Sequence, residues 1–433
     1  MSGLQNAAKN TELRKKIFFT LAMLAVYRMG VQVPTPGING EAFLSLFKQA
    51  SGTLFGFLDI FSGGALRRFS ICALGVMPYI SASIILQLLT VVYPSIKELY
   101  REGPEGKRKL AYYTRYLTVV ICLIQGFGIS VGLERMTAPN GVPIVSEPGW
   151  LFRITTMISL TAGTMFLVWL GEQMTEHGIG NGISIIIFAG IVAGIFPATA
   201  RTLKFVQTGE FSAFSLLLIL ALIVGILAFT CFMELAQRRI PIHYAKRQVG
   251  RQIVGGQSTY LPLKVNTAGV IPPIFASSIL MFPATIANFV PIDYFQRVAS
   301  FLRPGAIFYE ILFALLIIFF CYFYTAVIFN PKEVADNLKK WGGFIPGIRP
   351  GRATEEFIDK VLTRITLIGA LYVAFICVLP SFLITKLNLP FYFGGTSLLI
   401  VVGVAMDIMG HIEAHLLSRQ YETFIKQSKI KIR

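Results

Sequence analysis

Residues 53–92 read TLFGFLDIFSGGALRRFSICALGVMPYISASIILQLLTVV, and two segments of opposite character meet inside them. The first, Leu54 to Phe69, is apolar but interrupted by Gly56, Asp59, Ser62, Gly63, Gly64 and the pair Arg67 and Arg68. A bilayer crossing needs about 20 mostly apolar residues, so this segment is too short and too polar to span. It reads as an element folded back into protein. The second, Ile71 to Val92, is long and apolar enough to cross, although Gly75 and Pro78 weaken the start of its helix. Non-helical backbone at membrane depth is tolerated only where protein or a water-filled cavity surrounds it. A folded-back segment beside a span therefore points to a cavity with something seated in it.

The rest of the chain agrees with a membrane setting. Of 433 residues 54% are hydrophobic and only 14% charged, and the mean hydropathy is +0.66, far too apolar for a water-soluble protein of this length. Cys72, Cys122, Cys231, Cys321 and Cys377 stand singly in apolar segments without paired spacing. They indicate neither a disulfide framework nor a zinc site and read as small buried hydrophobes. The polar start MSGLQNAAKNTELRKK leads into an apolar run with no small-residue cleavage site behind it, so the first span is expected to be a retained helix.

Ten apolar runs are long enough to cross: about 17–33, 71–92, 115–134, 151–171, 183–200, 212–233, 268–289, 306–329, 365–386 and 394–415. With a cytoplasmic N-terminus, alternating the loops puts most of the 39 basic residues on one face, as the positive-inside rule requires, and both termini are then cytoplasmic. The net charge of +17 is thus explained by topology and by anionic lipid as well as by any acidic partner. Ten spans divide into 1–200 and 201–433, and because five is odd the second set enters inverted. Inverted halves place a pathway at their interface near the midplane. The expected fold is therefore all-α: ten transmembrane helices in two inverted five-helix halves around a central pore.

Two loops on the basic side, about 235–266 and 330–364, exceed what a turn between neighbouring helices requires. The first contains QRRIPIHYAKRQVGRQ and the second ends in GGFIPGIRPGR, where Pro346, Gly347, Pro350 and Gly351 would hold Arg349 at a tight tip. A docking surface for an acidic or RNA-containing partner is one reading, and a solvated basic loop kept inside by topology is the other.

The runs SGGAL at Ser62, MPYISASI at Met77, GEQMTEHGIGNGISIIIFAGIVAG at Gly171, YAKRQVGRQ at Tyr244, PLKVNTAGVIP at Pro262, GIRPG at Gly347 and PFYFGGTSLLIVV at Pro390 resemble the bacterial SecY family over nearly the whole chain. That family forms the protein-conducting channel of the cytoplasmic inner membrane and works with SecE and usually SecG. The resemblance implies passage of unfolded, signal-sequence-bearing polypeptides across the membrane and sideways release of membrane helices into lipid.

The resemblance also implies roles for particular residues. Phe57, Leu58, Asp59, Ile60, Phe61, Ser62, Gly63, Gly64, Ala65, Leu66 and Arg67 would be a plug in the resting channel. Val76, Ile80, Ile183, Ile187, Ile274 and Ile400 would form the pore ring, an aliphatic gasket that disfavours hydrated ions yet can spread around a passing chain. Val76 departs from the isoleucine common at that place and leaves the ring apolar. Spans two and three against seven and eight would be the lateral gate, with Ser81 and Gln125 as polar residues able to bond across it or to their own helices. Arg239, Arg247, Arg251 and above all Arg349 would receive the SecA motor or the translating ribosome.

Enzyme chemistry is not indicated. His411 and His415 in HIEAH are four apart, but Glu413 is displaced from the HExxH position and no third ligand is evident, so neither a metal nor another cofactor is expected. No GxSxG elbow or GxxxxGK[ST] loop is present, so nucleotide hydrolysis would fall to a partner. The alternative from another class is an ion-coupled secondary transporter, for which Arg28 in span one and Asp407 in span ten are the intramembrane ionisable residues.

Overall fold

The computed structural model describes residues 11–50, 59, 62–136, 141–208, 213–244, 247–249, 252–254, 258–289, 306–387 and 395–430. Each of the ten apolar runs lies wholly or mainly in a helix. In chain order these are α1 (Thr11–Gln32), α3 (Met77–Val92), α5 (Pro104–Arg135), α6 (Trp150–His177), α7 (Gly182–Gln207), α8 (Ala213–Leu235), α9 (Ile271–Phe289), α10 (Ile307–Ile328), α12 (Arg352–Leu387) and α13 (Gly395–Ile430). Shorter helices intervene: α2 (Gly40–Ala50), α4 (Pro94–Arg101) and α11 (Pro331–Lys340). Five helical stretches, Pro104–Arg135, Trp150–His177, Ile307–Lys340, Arg352–Pro380 and Gly395–Leu417, are long and apolar enough to cross a membrane, and four shorter apolar stretches accompany them.

The second run is only partly helical. Residues 71–76 form successive turns, with Ala73 N–H donating to Ser70 O at 2.9 Å and Gly75 N–H to Cys72 O at 2.9 Å. Gly75 adopts φ +58°, which ends any continuous helix there. Pro78 then sits in the first turn of α3, where its fixed φ and missing N–H are tolerated. The seventh run is trimmed in the same way, since Gly269 has φ +63° and α9 starts at Ile271.

The helix hairpin α5–α6 is pinned at both ends. Arg115 on α5 donates from Nε and Nη2 to Glu172 on α6 at 2.9 and 2.7 Å. At the opposite end Arg153 on α6 donates to Glu134 on α5 at 2.6–3.1 Å. Paired, bidentate arginine–carboxylate bonds fix geometry as well as adding energy. Further along α6, Gly163 abuts the turn that precedes α3, and a β-carbon there would strike the carbonyl of Ile71. Gly163→Val is accordingly expected to cost about 1–3 kcal/mol by overpacking, read as a lowered unfolding midpoint in detergent; an unchanged midpoint would show that this turn yields freely.

Across the middle of the molecule α9 packs against α3 and α5, and α13 packs against α7. Other contacts join helices near in sequence, such as α10 with α12, and distant ones, such as α1 with α6.

The two long loops are not structureless. In the first, β1 (Gln237–Tyr244) pairs antiparallel with β4 (Ser258–Lys264), and β2 (Arg247–Val249) pairs with β3 (Gln252–Val254). The second loop supplies β5 (Gly343–Phe344), which adds to the other edge of β1 through His243 opposite Phe344 and Tyr244 opposite Gly343. Along β1, Ile240 and Ile242 face inward and alternate with exposed Arg239, Pro241 and His243, the period of two that a half-buried strand requires. Ile240, Ile242, Leu263, Leu338, Ile345, Ile358 and Ile365 form a small separate core beneath the sheet. The residue pattern of these loops predicts no strands, because prolines and basic residues obscure the alternation.

Candidate pore and the segment seated against it

The aliphatic residues expected to form a ring come from four helices and share one apolar cluster. Val76 at the N-cap of α3, Ile80 on α3, Ile187 on α7, Ile274 on α9 and Ile400 on α13 are buried in it, and Ile183 on α7 packs against it half-buried. Local backbone explains how Ile183 and Ile274 are presented. Asn181 caps α7, its Oδ1 accepting from Ile183 N–H at 3.1 Å and Ser184 N–H at 3.3 Å. Gly171 on α6 lets that helix close on Ile183, with Cγ1 2.8 Å from where a β-carbon would lie. On α9 the hydroxyls of Ser277 and Ser278 both donate to the Ile274 carbonyl, at 2.9 and 2.8 Å. Their donors are thus satisfied inside their own helix, and the cluster stays apolar.

Of the folded-back segment, Asp59 and residues 62–67 are described, while Phe57, Leu58, Ile60 and Phe61 lie outside the described residues. What is visible is bound together internally. Asp59 is buried; its Oδ1 accepts from Arg67 N–H at 3.1 Å and its Oδ2 from Arg67 Nε. The Asp59 carbonyl accepts from Gly64 N–H at 2.9 Å and from Ser62 Oγ at 3.1 Å. The buried carboxylate is therefore paired, as a charge in an apolar setting must be.

The segment is also held from outside. Tyr27 on α1 donates its hydroxyl to Ser62 O at 3.3 Å, and Arg28 donates from Nη1 to Gly63 O at 2.8 Å and from Nη2 to Ala189 O on α7 at 2.6 Å. Gly63 has φ +66°, and a β-carbon there would meet the Tyr27 hydroxyl and lie 2.9 Å from Gly190 Cα. Glycine is required at Gly63 by both conformation and space. After the segment the chain runs beside residues 33–35, with Thr35 N–H donating to Phe69 O at 3.0 Å and Ile71 N–H to Val33 O at 3.0 Å. The partners Tyr27, Ala189 and Gly190 carried no sequence signal; Arg28 did, as a charge inside an apolar run.

At the seam between α9 and the pair α3 and α5, Ser81 and Gln125 are half-buried. Among the described residues neither makes a side-chain hydrogen bond, so neither bridges the seam in this structure. Of the candidate docking arginines, Arg239 on β1 and Arg349 in the tip after β5 are exposed. Arg247 lies on β2, opposite Val254, and Arg251 lies outside the described residues. His415 Nε2 is 3.0 Å from Lys16 Nζ, and His411 Nε2 is 3.8 Å from Asp407.

Comparison with known proteins decides the family. The SecY family profile matches residues 70–409. The chain is 52% identical over 424 residues to the protein translocase subunit SecY of Escherichia coli strain K12, covering 97% of this chain and 95% of that one. The chain belongs to the SecY family. The fold of that family is found here, since a solved protein-conducting channel superposes with a TM-score of 0.68 at 18% identity, covering 94% of this chain and 93% of that chain. A second solved SecY, described as having a plug domain that stabilises the closed translocation channel and maintains a membrane seal, superposes with a TM-score of 0.67 at 18% identity, with the same coverage. SecY-family membership makes the chain a membrane-embedded channel subunit and not an enzyme, and the ion-coupled transporter alternative finds no support in these likenesses.

Proposed function

We propose that this chain is the subunit through which unfolded polypeptides cross the cytoplasmic inner membrane and from which apolar helices pass sideways into lipid. The observation that carries the reading is the buried aliphatic cluster drawn from α3, α7, α9 and α13, with a small glycine-containing segment held nearby. Branched aliphatic side chains exclude hydrated ions at little cost to a passing apolar or extended chain. Residues 57–67 act as the plug, and Val76, Ile80, Ile183, Ile187, Ile274 and Ile400 as the gasket. The halves 1–200 and 201–433 are inverted five-helix units that meet at the pore, and both termini face the cytoplasm with the basic loops.

The side exit is the seam where α9 meets α3 and α5. Among the described residues Ser81 and Gln125 make no hydrogen bond across it, and a polar bond formed there would be worth only about 0.6–2 kcal/mol. An apolar signal helix competes for that surface. SecE and SecG complete the channel, anionic lipids meet its basic face, and SecA or the translating ribosome binds Arg239, Arg247, Arg251 and Arg349. Energy comes from those partners, because this chain has no nucleotide-binding loop.

The test is covalent closure of the seam. Cysteine pairs placed along the α3–α9 contact are expected to stop export when oxidised and restore it on reduction. Undiminished export through the oxidised protein would sink the lateral-gate reading.

A further inference from the structure

We infer that Arg28 is the latch of the resting channel, holding the folded-back segment against α7 through a two-pronged hydrogen bond. The inference rests on reading 57–67 as the plug and names the residue that regulates its release. A guanidinium inside an apolar run must find acceptors, and such residues pair with carboxylates or backbone carbonyls. Here the pairing is unusual in what it joins: Nη1 takes the carbonyl of Gly63 on the segment at 2.8 Å and Nη2 takes that of Ala189 on α7 at 2.6 Å. One planar group thus bridges a structural helix and the element that must leave.

The surroundings fit a releasable contact. Gly63 and Gly190 bring two backbones together, with Gly63 Cα 3.2 Å from the place a Gly190 β-carbon would occupy. At the Gly63–Gly190 contact no side chain of either residue stands between the backbones, although release also unseats Ala65 and Leu66 from the neighbouring apolar clusters. The ion pair between Asp59 and Arg67 is internal to the segment and travels with it. The polar attachments described between the glycine turn and the helices are therefore those of Arg28 and Tyr27, and the one from Arg28 is both charged and shorter. Charge-assisted bonds are about twice as strong as neutral ones. Lysine cannot replace this arrangement fully, because a compact ammonium lacks the fork that reaches two carbonyls at once.

The experiment measures open probability of the complete translocase complex in planar bilayers. Four variants are compared with the parent: Arg28→Gln, Arg28→Lys, deletion of 57–67, and the deletion combined with Arg28→Gln. Arg28→Gln is expected to raise open probability roughly tenfold, equivalent to about 1.4 kcal/mol, and Arg28→Lys to raise it less. In the deletion background Arg28→Gln is expected to change nothing, since the element it held is gone.

A conductive deletion with a silent Arg28→Gln would overturn the latch and leave the plug standing. Equal gains from Arg28→Gln with and without the segment would also overturn it, showing that Arg28 shapes the pore itself. If the deletion too is silent, the plug reading fails and the latch with it. Should Arg28→Gln not accumulate in the membrane, Gly190→Ala decides. Its added methyl would lie 3.2 Å from Gly63 Cα and 3.3 Å from the Tyr27 hydroxyl, so the segment or Tyr27 must give by a few tenths of an ångström while Arg28 keeps its guanidinium. The substitution is expected to open the channel to a similar degree, and silence there counts against a seat at this contact.

Discussion

Removing residues 57–67 is expected to convert a channel that is silent in a planar bilayer, with its small subunits present, into one showing frequent, large conductance steps. On the proposed reading, removing the segment leaves the aliphatic gasket as the barrier to ions. Tyr27 and Arg28 lose their bonds to Ser62 and Gly63; the charged one from Arg28 is worth about 1.5–3 kcal/mol and the neutral one about 0.5–1.5 kcal/mol. A loss of that size moves a closed-to-open balance by roughly 10- to 100-fold. The described part of the segment also packs Ala65 and Leu66 into the neighbouring cores, so the deletion is expected to lower stability as well, and insertion is checked before conductance is read. Silence in the deletion, with insertion into the bilayer demonstrated, would refute the assignment.

Arg349→Glu is expected to lower motor- or ribosome-driven transport by roughly 30-fold or more while leaving passive conductance unchanged. The argument begins with rigidity. The tip that carries Arg349 is anchored on one side by Ile345, buried in the core under the sheet, and Ile348 N–H donates back to Ile345 O at 3.1 Å. On the other side Thr354 Oγ1 donates to the Arg349 carbonyl at 2.9 Å. Gly347 at φ +80° and Gly351 at φ +107° supply turns that other residues adopt poorly. With the backbone already fixed, docking costs only the ordering of the Arg349 side chain, and an arginine desolvated by a partner is a common interface hot spot of about 2 kcal/mol or more. Arg349→Lys should fall between parent and Glu, because the planar fork is lost and the charge kept. Affinity for the purified motor and transport rate, measured side by side, check the point; parental values in Arg349→Glu would return this tip to being a solvated loop.

Much of the architecture could be read from residue order. Apolar runs located the helices because length and hydropathy report burial in lipid directly, whereas the point at which α3 begins depended on one glycine whose φ is invisible in a string of letters. The six aliphatic residues of the ring look like any others in a membrane helix. Only the resemblance to SecY raised them above ordinary packing, and their common burial came from long-range contacts between α3, α7, α9 and α13. The sheet joining the loops was missed for the same reason: β5 has two residues, and its partner lies about 100 positions away. Arg28 was visible as an anomaly, but what it held was not, since backbone carbonyls have no identity in sequence.

The three-stranded sheet has a mechanical meaning. β1 continues directly from α8, and β4 leads within a few residues into α9, where Val265 N–H donates to Ala236 O at 2.9 Å and Asn266 ties Glu234 at 2.7 Å to Gly269 O at 3.1 Å. β5 brings in the tip that carries Arg349. The tip is thus tied by strand pairing and side-chain bonds to the start of α9, with little slack loop between them. If the tip receives a partner as proposed, a displacement there reaches the base of α9 through the sheet and the Glu234–Asn266 bond.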